Sequence, residues 1–167
     1  METLHTRLQE KFPNAQVTFA NLEAGDHYII VDTAHLHSII SYLKIDEHYT
    51  ILMCLSGAED SEFLQSVYHL FSESSRKKVT LKVRLPKDNP EVETIGDLWP
   101  GAYFFEREAY DLFGIIYKNH PDLRRIMLPE DWIGHPLRKN YIDPIQYQDI
   151  NNERAYPCDV PNVTEKK

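Results

Sequence analysis

Leu4, Leu8 and Phe12 recur every four residues, which sets them on one side of a helix, and Pro13 stops it. Residues 15–19 and 27–31 read as two strands joined by the turn-prone Glu23-Ala24-Gly25-Asp26. Leu36, Ile39, Ile40 and Leu43 form the i, i+3, i+4, i+7 stripe of an amphipathic helix, with Asp32 or Thr33 placed to cap it. Residues 49–55 are apolar enough for a strand. A polar turn is expected through Gly57 and Asp60, and residues 63–71 supply the next strand. The cleanest alternation sets Val79, Leu81, Val83 and Leu85 against Lys78, Thr80, Lys82 and Arg84. One face of that strand is for the core and the other for solvent or a partner. Pro86 and Pro90 end it. A helix pattern from Phe104 to Phe113 follows and is cut off by Gly114.

The order α-β-β-α-β-β-β-α predicts an α+β fold: a two-layer domain with a mostly antiparallel sheet and helices packed on it. Beyond Gly114 the periodicity ends. The chain is therefore divided into an α+β core domain (1–115), a basic Pro/His/Arg-rich docking segment (116–142) and an extended or disordered C-terminal tail (143–167). An ordered irregular stretch loses backbone entropy without gaining a regular ladder of hydrogen bonds. Contact with another molecule is the expected compensation, and Pro121, Pro129 and Pro136 lower the ordering cost by stiffening the segment. The tail is expected to be mobile in the free chain and protected in a complex.

Composition narrows the classes. The longest apolar run is about six residues, far short of the roughly 20 that span a bilayer. The opening METLHTRLQEKF lacks the apolar core of a secretory signal, so the chain reads as cytosolic and soluble by itself. Cys54 and Cys158 show no CxxC spacing, which speaks against a disulfide framework or an iron–sulfur cradle. The net charge of −8 is uneven: residues 1–75 hold 3 Lys/Arg against 11 Asp/Glu, and residues 76–140 hold 12 against 10. An acidic front half argues against nucleic acid as a partner.

Few patterns in the chain point to chemistry. None of the six glycines forms GxGxxG or a Walker loop, so no nucleotide cradle is expected. His35 and His37 point about 200° apart on a helix and do not share a metal there. His120 and His135 lack a third ligand at motif spacing, so hydrogen-bonded histidines are preferred to a metal site. Cys54 lies in an apolar pattern, where an inert thiol is the default. On the 102–113 helix, Ala102, Phe105, Ala109 and Leu112 form the expected buried stripe, with Arg107, Glu108 and Asp111 facing elsewhere. Arg107 and Asp111 are spaced to pair. Glu106 borders the stripe and can turn towards Arg124, Arg125 or Arg138. Two readings stay open here: a helix with ion pairs on its face, or a hub that orders the basic loop or meets a partner. Arg124, Arg125, Met127, Trp132, Arg138 and Tyr141 are residue types enriched at interface cores, so an interface is preferred to an Ω-like loop packed on its own domain.

These blocks closely resemble the C subunit family of NADH-quinone oxidoreductase, from the peripheral arm of respiratory complex I. The resemblance runs through Lys82-Val83-Arg84-Leu85-Pro86, Pro90-Glu91-Val92, Asp97-Leu98-Trp99 and the run Glu106 to Ile115 (EREAYDLFGI). It continues with His120 to Ile126 (HPDLRRI) and Gly134 to Lys139 (GHPLRK). Two departures are visible: Asn140 stands where the family usually has Asp, and Tyr103-Phe104-Phe105 replaces a more Trp-rich approach to the helix.

The resemblance implies a non-catalytic structural subunit that binds no flavin, cluster, metal or quinone itself. It would dock on the quinone-site (D) subunit, near iron–sulfur subunits. The complex would pass electrons from NADH through FMN and iron–sulfur clusters to a quinone, coupled to proton transport. Its place would be peripheral, on the cytoplasmic side of the bacterial inner membrane. Glu106, Arg107, Glu108, Asp111, His120, Arg124, Arg125, Trp132, His135, Arg138, Lys139 and Tyr141 are then assigned to internal ion pairs and docking. Reversing Arg124 and Arg125 to Glu is expected to weaken association with the quinone-site subunit while the domain stays folded. The alternatives are the equivalent subunit of a photosynthetic-type NDH complex or energy-converting hydrogenase, and a stand-alone acid-base enzyme using Glu106 or His120.

Overall fold

The computed structural model describes residues 2–20, 27–142, 144 and 146–151. In chain order these form α1 (Glu2–Lys11), β1 (Thr18–Ala20), β2 (Tyr28–Val31), α2 (Leu36–Ile45), β3 (Ile51–Glu59), β4 (Phe63–Ser72) and β5 (Lys77–Pro86). β6 (Glu91–Glu93), α3 (Ala102–Phe113), β7 (Ile116–Lys118), β8 (Gln146–Tyr147) and β9 (Ile150–Asn151) complete the set. β1 to β5 make one sheet in the order β1-β2-β5-β4-β3. Its pairings are antiparallel except β2 with β5, which run parallel. The α+β fold with a mostly antiparallel sheet and helices packed on it is the fold observed.

The alternation of β5 organises the sheet. Val79, Leu81, Val83 and Leu85 are fully buried, and the register aligns them with Leu70, Tyr68, Ser66 and Leu64 of β4. Leu55 of β3 and Ile29 and Val31 of β2 continue the same face. The stripe of α2, Leu36, Ile39, Ile40 and Leu43, belongs to the same core, as do Leu4 and Leu8 of α1 and Ala102 and Ala109 of α3. Each such Leu or Ile contributes on the order of 1.5–3 kcal/mol by leaving water.

Four local expectations change. Neither Asp32 nor Thr33 caps α2: His35 occupies the N-cap without a side-chain bond, and the Asp32 carboxylate instead meets the His35 Nδ1 at 2.7 Å. Gly57 lies within β3 and not in the turn, and the Phe113 ring packs 2.5 Å from where its Cβ would stand. Regular structure does not end at Gly114, since β7 pairs in parallel with β6 and brings the Tyr117 hydroxyl 2.9 Å from that of Ser66. The segment after residue 143 contains the β8–β9 hairpin, turned by Gln148 and Asp149 at φ 45° and 66° as a primed turn requires. The expected turn at 23–26, Cys158 and most of the tail lie outside the described residues.

Candidate docking site

α3 places the site. Its C-terminus is closed by Gly114, whose φ of 73° lets its N–H reach the Tyr110 carbonyl at 2.8 Å. The last carbonyls of a helix lack partners within it and carry negative dipole character. Here the 116–142 segment supplies the partners. His135 Nδ1 donates to the Asp111 carbonyl at 2.9 Å, the Leu137 amide to that of Leu112 at 3.1 Å, and Arg138 Nε to that of Phe113 at 2.7 Å. Arg125 reaches the Asp111 carbonyl as well, at 3.2 Å. Two guanidinium groups thus stand at the negative end of the helix.

The Asp111 side chain anchors the other half of the segment. It is fully buried, and its Oδ2 accepts the amides of Ile126, Met127 and Leu128 at 3.0, 2.7 and 2.9 Å. Its Oδ1 accepts from Arg125 at 2.7 Å. Burial pushes this carboxyl up, but the Leu128 amide, the Arg125 guanidinium and the Met127 and Ile126 amides outweigh that and hold it below the usual range. Arg125 then donates to the carbonyls of Trp132 and Gly134, both at 2.9 Å. Arg107 grips the same segment through the carbonyls of Arg124 and Arg125 at 3.2 and 3.1 Å. The expected Arg107–Asp111 pair is therefore replaced by Arg125–Asp111, and Asp111 faces inward, not away from the core.

Glu106 also differs from expectation. It turns not towards the arginines but into the core, fully buried, accepting the Thr94 hydroxyl at 2.6 Å and the Ile95 amide at 2.9 Å. Burial pushes its pKa up against those bonds and the nearby His120. His120, with a side chain 1% exposed, donates from Nε2 to the Tyr103 carbonyl at 3.1 Å and accepts the Asp122 amide on Nδ1. Both ring nitrogens are thereby engaged. Burial lowers the pKa of His135.

The remaining candidates lie outward. Arg124 is exposed and, among the described residues, pairs with exposed Asp122, a contact of little energetic weight. Glu108 is exposed, and its charge helps raise the pKa of half-buried Cys54 after burial itself. The Lys139 amide donates to Glu59 Oε2 at 2.6 Å, tying the segment to β3. The indole N–H of Trp132 and the hydroxyl of Tyr141 are buried without a hydrogen-bond partner among the described residues. Sequence reasoning missed Thr94, Glu59 and Asp131, which accepts from Tyr147 and Gln148. None sits in a motif of its own that spacing could reveal.

With Arg125 and Arg138 drawn inward, the segment presents apolar side chains: Met127, Ile133, Leu137 and Ile142 are 64, 78, 52 and 87% exposed. Among the described residues no three His, Cys, Asp or Glu gather in a metal-holding group. No helix among them is long and apolar enough to cross a membrane.

Residues 29–147 match the family described as "Respiratory-chain NADH dehydrogenase, 30 Kd subunit". The chain is 37% identical to the NADH-quinone oxidoreductase C subunit of Herpetosiphon aurantiacus over 154 residues, covering 89% of this chain and 86% of that protein. It is 40% identical to the Saccharopolyspora erythraea protein of the same name over 135 residues, 77% of this chain, and spans only 54% of that longer relative. Among solved structures, a trypsin-resistant fragment of Nqo5 superposes with a TM-score of 0.62 at 25% identity, covering 73% of this chain and 98% of the fragment.

Proposed function

Because the chain belongs to the 30 kDa subunit family of respiratory-chain NADH dehydrogenase, we propose that its own task is docking. In this reading the 116–142 segment binds the quinone-site subunit, beside iron–sulfur subunits of the peripheral arm. The chain supplies no catalytic residue, flavin, cluster or quinone ligand. NADH oxidation, electron passage through FMN and clusters, and quinone reduction belong to the assembly. The chain would sit on the cytoplasmic side of the bacterial inner membrane, held there by its partners.

The observation that carries this reading is the inversion of the segment. Its Arg125, His135 and Arg138, met by Arg107 of α3, hold it to that helix, and its large apolar side chains are left outward. Exposed apolar patches of this kind mark protein interfaces. A stand-alone acid-base enzyme loses its support from the same geometry, since Glu106 and His120 have no surface from which to meet a substrate.

The test is Ile133→Asp together with Ile142→Asp. Both residues are exposed, so the folded chain keeps its melting temperature. Co-purification with the quinone-site subunit from mild-detergent extracts is expected to fall about tenfold or more, a loss of roughly 1.4 kcal/mol or above. Unchanged recovery of that partner with a folded variant rejects the docking reading.

A further inference from the structure

α3 overhangs the edge of the sheet. It packs on β3, the outermost strand of the order β1-β2-β5-β4-β3. The stripe read from its sequence is Ala102, Phe105, Ala109 and Leu112, but only the two alanines are buried, and Phe105 and Leu112 stay half-open. With Glu108 they line a groove of about 180 Å³ between the helix and the Leu55–Gly57 stretch of β3, with Leu137 also in its wall.

The two edges of the sheet differ. β1 has three residues, a short edge that offers little to pair with. β3 has nine, and Ile51 to Ala58 (ILMCLSGA) hold no charge and no proline, the usual guards of an edge. Thr50, just before them, gives its carbonyl to the Trp99 indole at 2.8 Å. From Ile51 to Ala58 the backbone bonds, among the described residues, only to β4. The register slips once, between Leu52 and Cys54, and is unbroken from Cys54 to Glu59. Along that unbroken run every second residue turns its N–H and C=O away from β4.

We propose that the β3 edge from Cys54 to Ala58 receives an extended segment of a neighbouring subunit of the same complex, added as a further strand beneath α3. The proposal rests on the chain's place in that complex but not on the 116–142 segment. Three features select this occupant. A row of unpaired backbone groups is matched by another extended chain and not by a helix. The groove is smaller than the roughly 300–1,000 Å³ of a small-molecule site, but about 150 Å³ is enough to hold one aromatic ring. Glu108 stands at its rim, exposed, and among the described residues has no hydrogen-bond or ion-pair partner. The segment therefore carries a large apolar residue facing α3 and a Lys or Arg on the same side, about 7 Å along the strand. A second copy of this chain fits less well, since it would bring a net charge of −8 against −8.

Hydrogen exchange of the free full-length chain and of the intact detergent-solubilised complex tests this. In the free chain, alternate amides from Cys54 to Ala58 are expected to exchange fast and the others slowly. In the complex the fast set is expected to slow about a hundredfold or more. Phe104 is exposed and lies one turn before Glu108 on α3. With p-benzoylphenylalanine in its place, light is expected to join α3 to another subunit, at a segment bearing a Lys or Arg. Glu108→Lys is expected to lower co-purification of that subunit about tenfold, and reversing the charge of the cross-linked base restores it. Full recovery with folded Glu108→Lys rejects the basic residue assigned to the segment. Unchanged exchange of the fast amides in the complex overturns the proposal. Cross-links confined to residues 152–167 of the same chain, or to a second copy, overturn it as well. Slowing within 126–142 with 54–58 unchanged rejects the β3 edge alone, and the reverse rejects the docking segment alone.

Discussion

Asp111→Asn should release the docking segment while leaving the domain folded. The substitution keeps the shape and removes the charge. Asn offers one acceptor oxygen where Asp111 offers two, and these now receive three amides and a guanidinium. If the amide oxygen takes the place of Oδ2, the Asn NH2 points at Arg125, donor against donor. If it faces Arg125, the NH2 meets the amides of Ile126, Met127 and Leu128. Breaking a buried pair from one side costs about 3–5 kcal/mol. That is a large share of a total stability of roughly 5–15 kcal/mol. The loss falls on a segment that can open without the sheet, so it should appear as local opening. Native-state hydrogen exchange at Ile126, Met127 and Leu128 is the assay. A cost of that size speeds these amides by about 150- to 4000-fold. Val79 to Leu85 in β5 should keep their wild-type protection. Unchanged exchange at 126–128 would refute the role given to Asp111, and equal acceleration in β5 would refute the separability of the segment.

Three further outcomes follow from the same geometry. Arg124→Glu should leave protease resistance of the segment intact, whereas Arg125→Glu sets a carboxylate against buried Asp111 and should make residues 116–142 rapidly cleavable; equal behaviour would sink the inward placement of Arg125. Gly114→Ala should lower the melting temperature, with about 1–2 kcal/mol from the left-handed backbone alone and more from a Cβ 2.6 Å from the His135 ring; a neutral result would contradict the tight closure there. Asp111 and Glu106 should respond to pH with opposite signs. The depressed Asp111 pKa gives stability that is present above its unfolded value of about 3.9 and is lost as pH falls through the lower folded value. The raised Glu106 pKa gives stability that is present below about 4.3 and is lost as pH rises through the folded value. Glu106→Gln should therefore gain stability relative to wild type as pH rises from 4 towards neutrality, and urea titrations showing the opposite trend would reject that sign.

Where the chain alternates or repeats over many residues, its fold was legible. The β5 alternation, the α2 stripe and the Gly114 stop all name positions that are buried or turned as read. Shorter elements were not: β6 and β7 have three residues each, too few to show a period, and they pair across 25 residues of chain. The site was legible as a region but not in its wiring. Arg107 and Asp111 have ideal helical spacing for a pair, yet three backbone amides and Arg125 take Asp111, while Arg107 is drawn to the carbonyls of Arg124 and Arg125. Glu106 looked like a surface carboxylate because nothing local announces Thr94 and the Ile95 amide, which come from a loop 11 and 12 residues upstream. Residue type and spacing report what a side chain is able to reach; the competition among partners is decided by tertiary packing.

The anchors of the docking segment converge on the last turn of α3, and this sets an order of events as the protein is made. Ile126 to Leu128, His135, Leu137 and Arg138 bind atoms of Asp111, Leu112 and Phe113 that are correctly aimed only once the helix exists. The helix in turn is positioned by Phe113 closing on Gly57 of β3. A nascent chain cannot present the outward row of Met127, Ile133, Leu137 and Ile142 in register until its sheet and helix have joined. If the segment docks as proposed, it acts as an inspection mark: a partner that recognises it would accept only chains whose core has already folded.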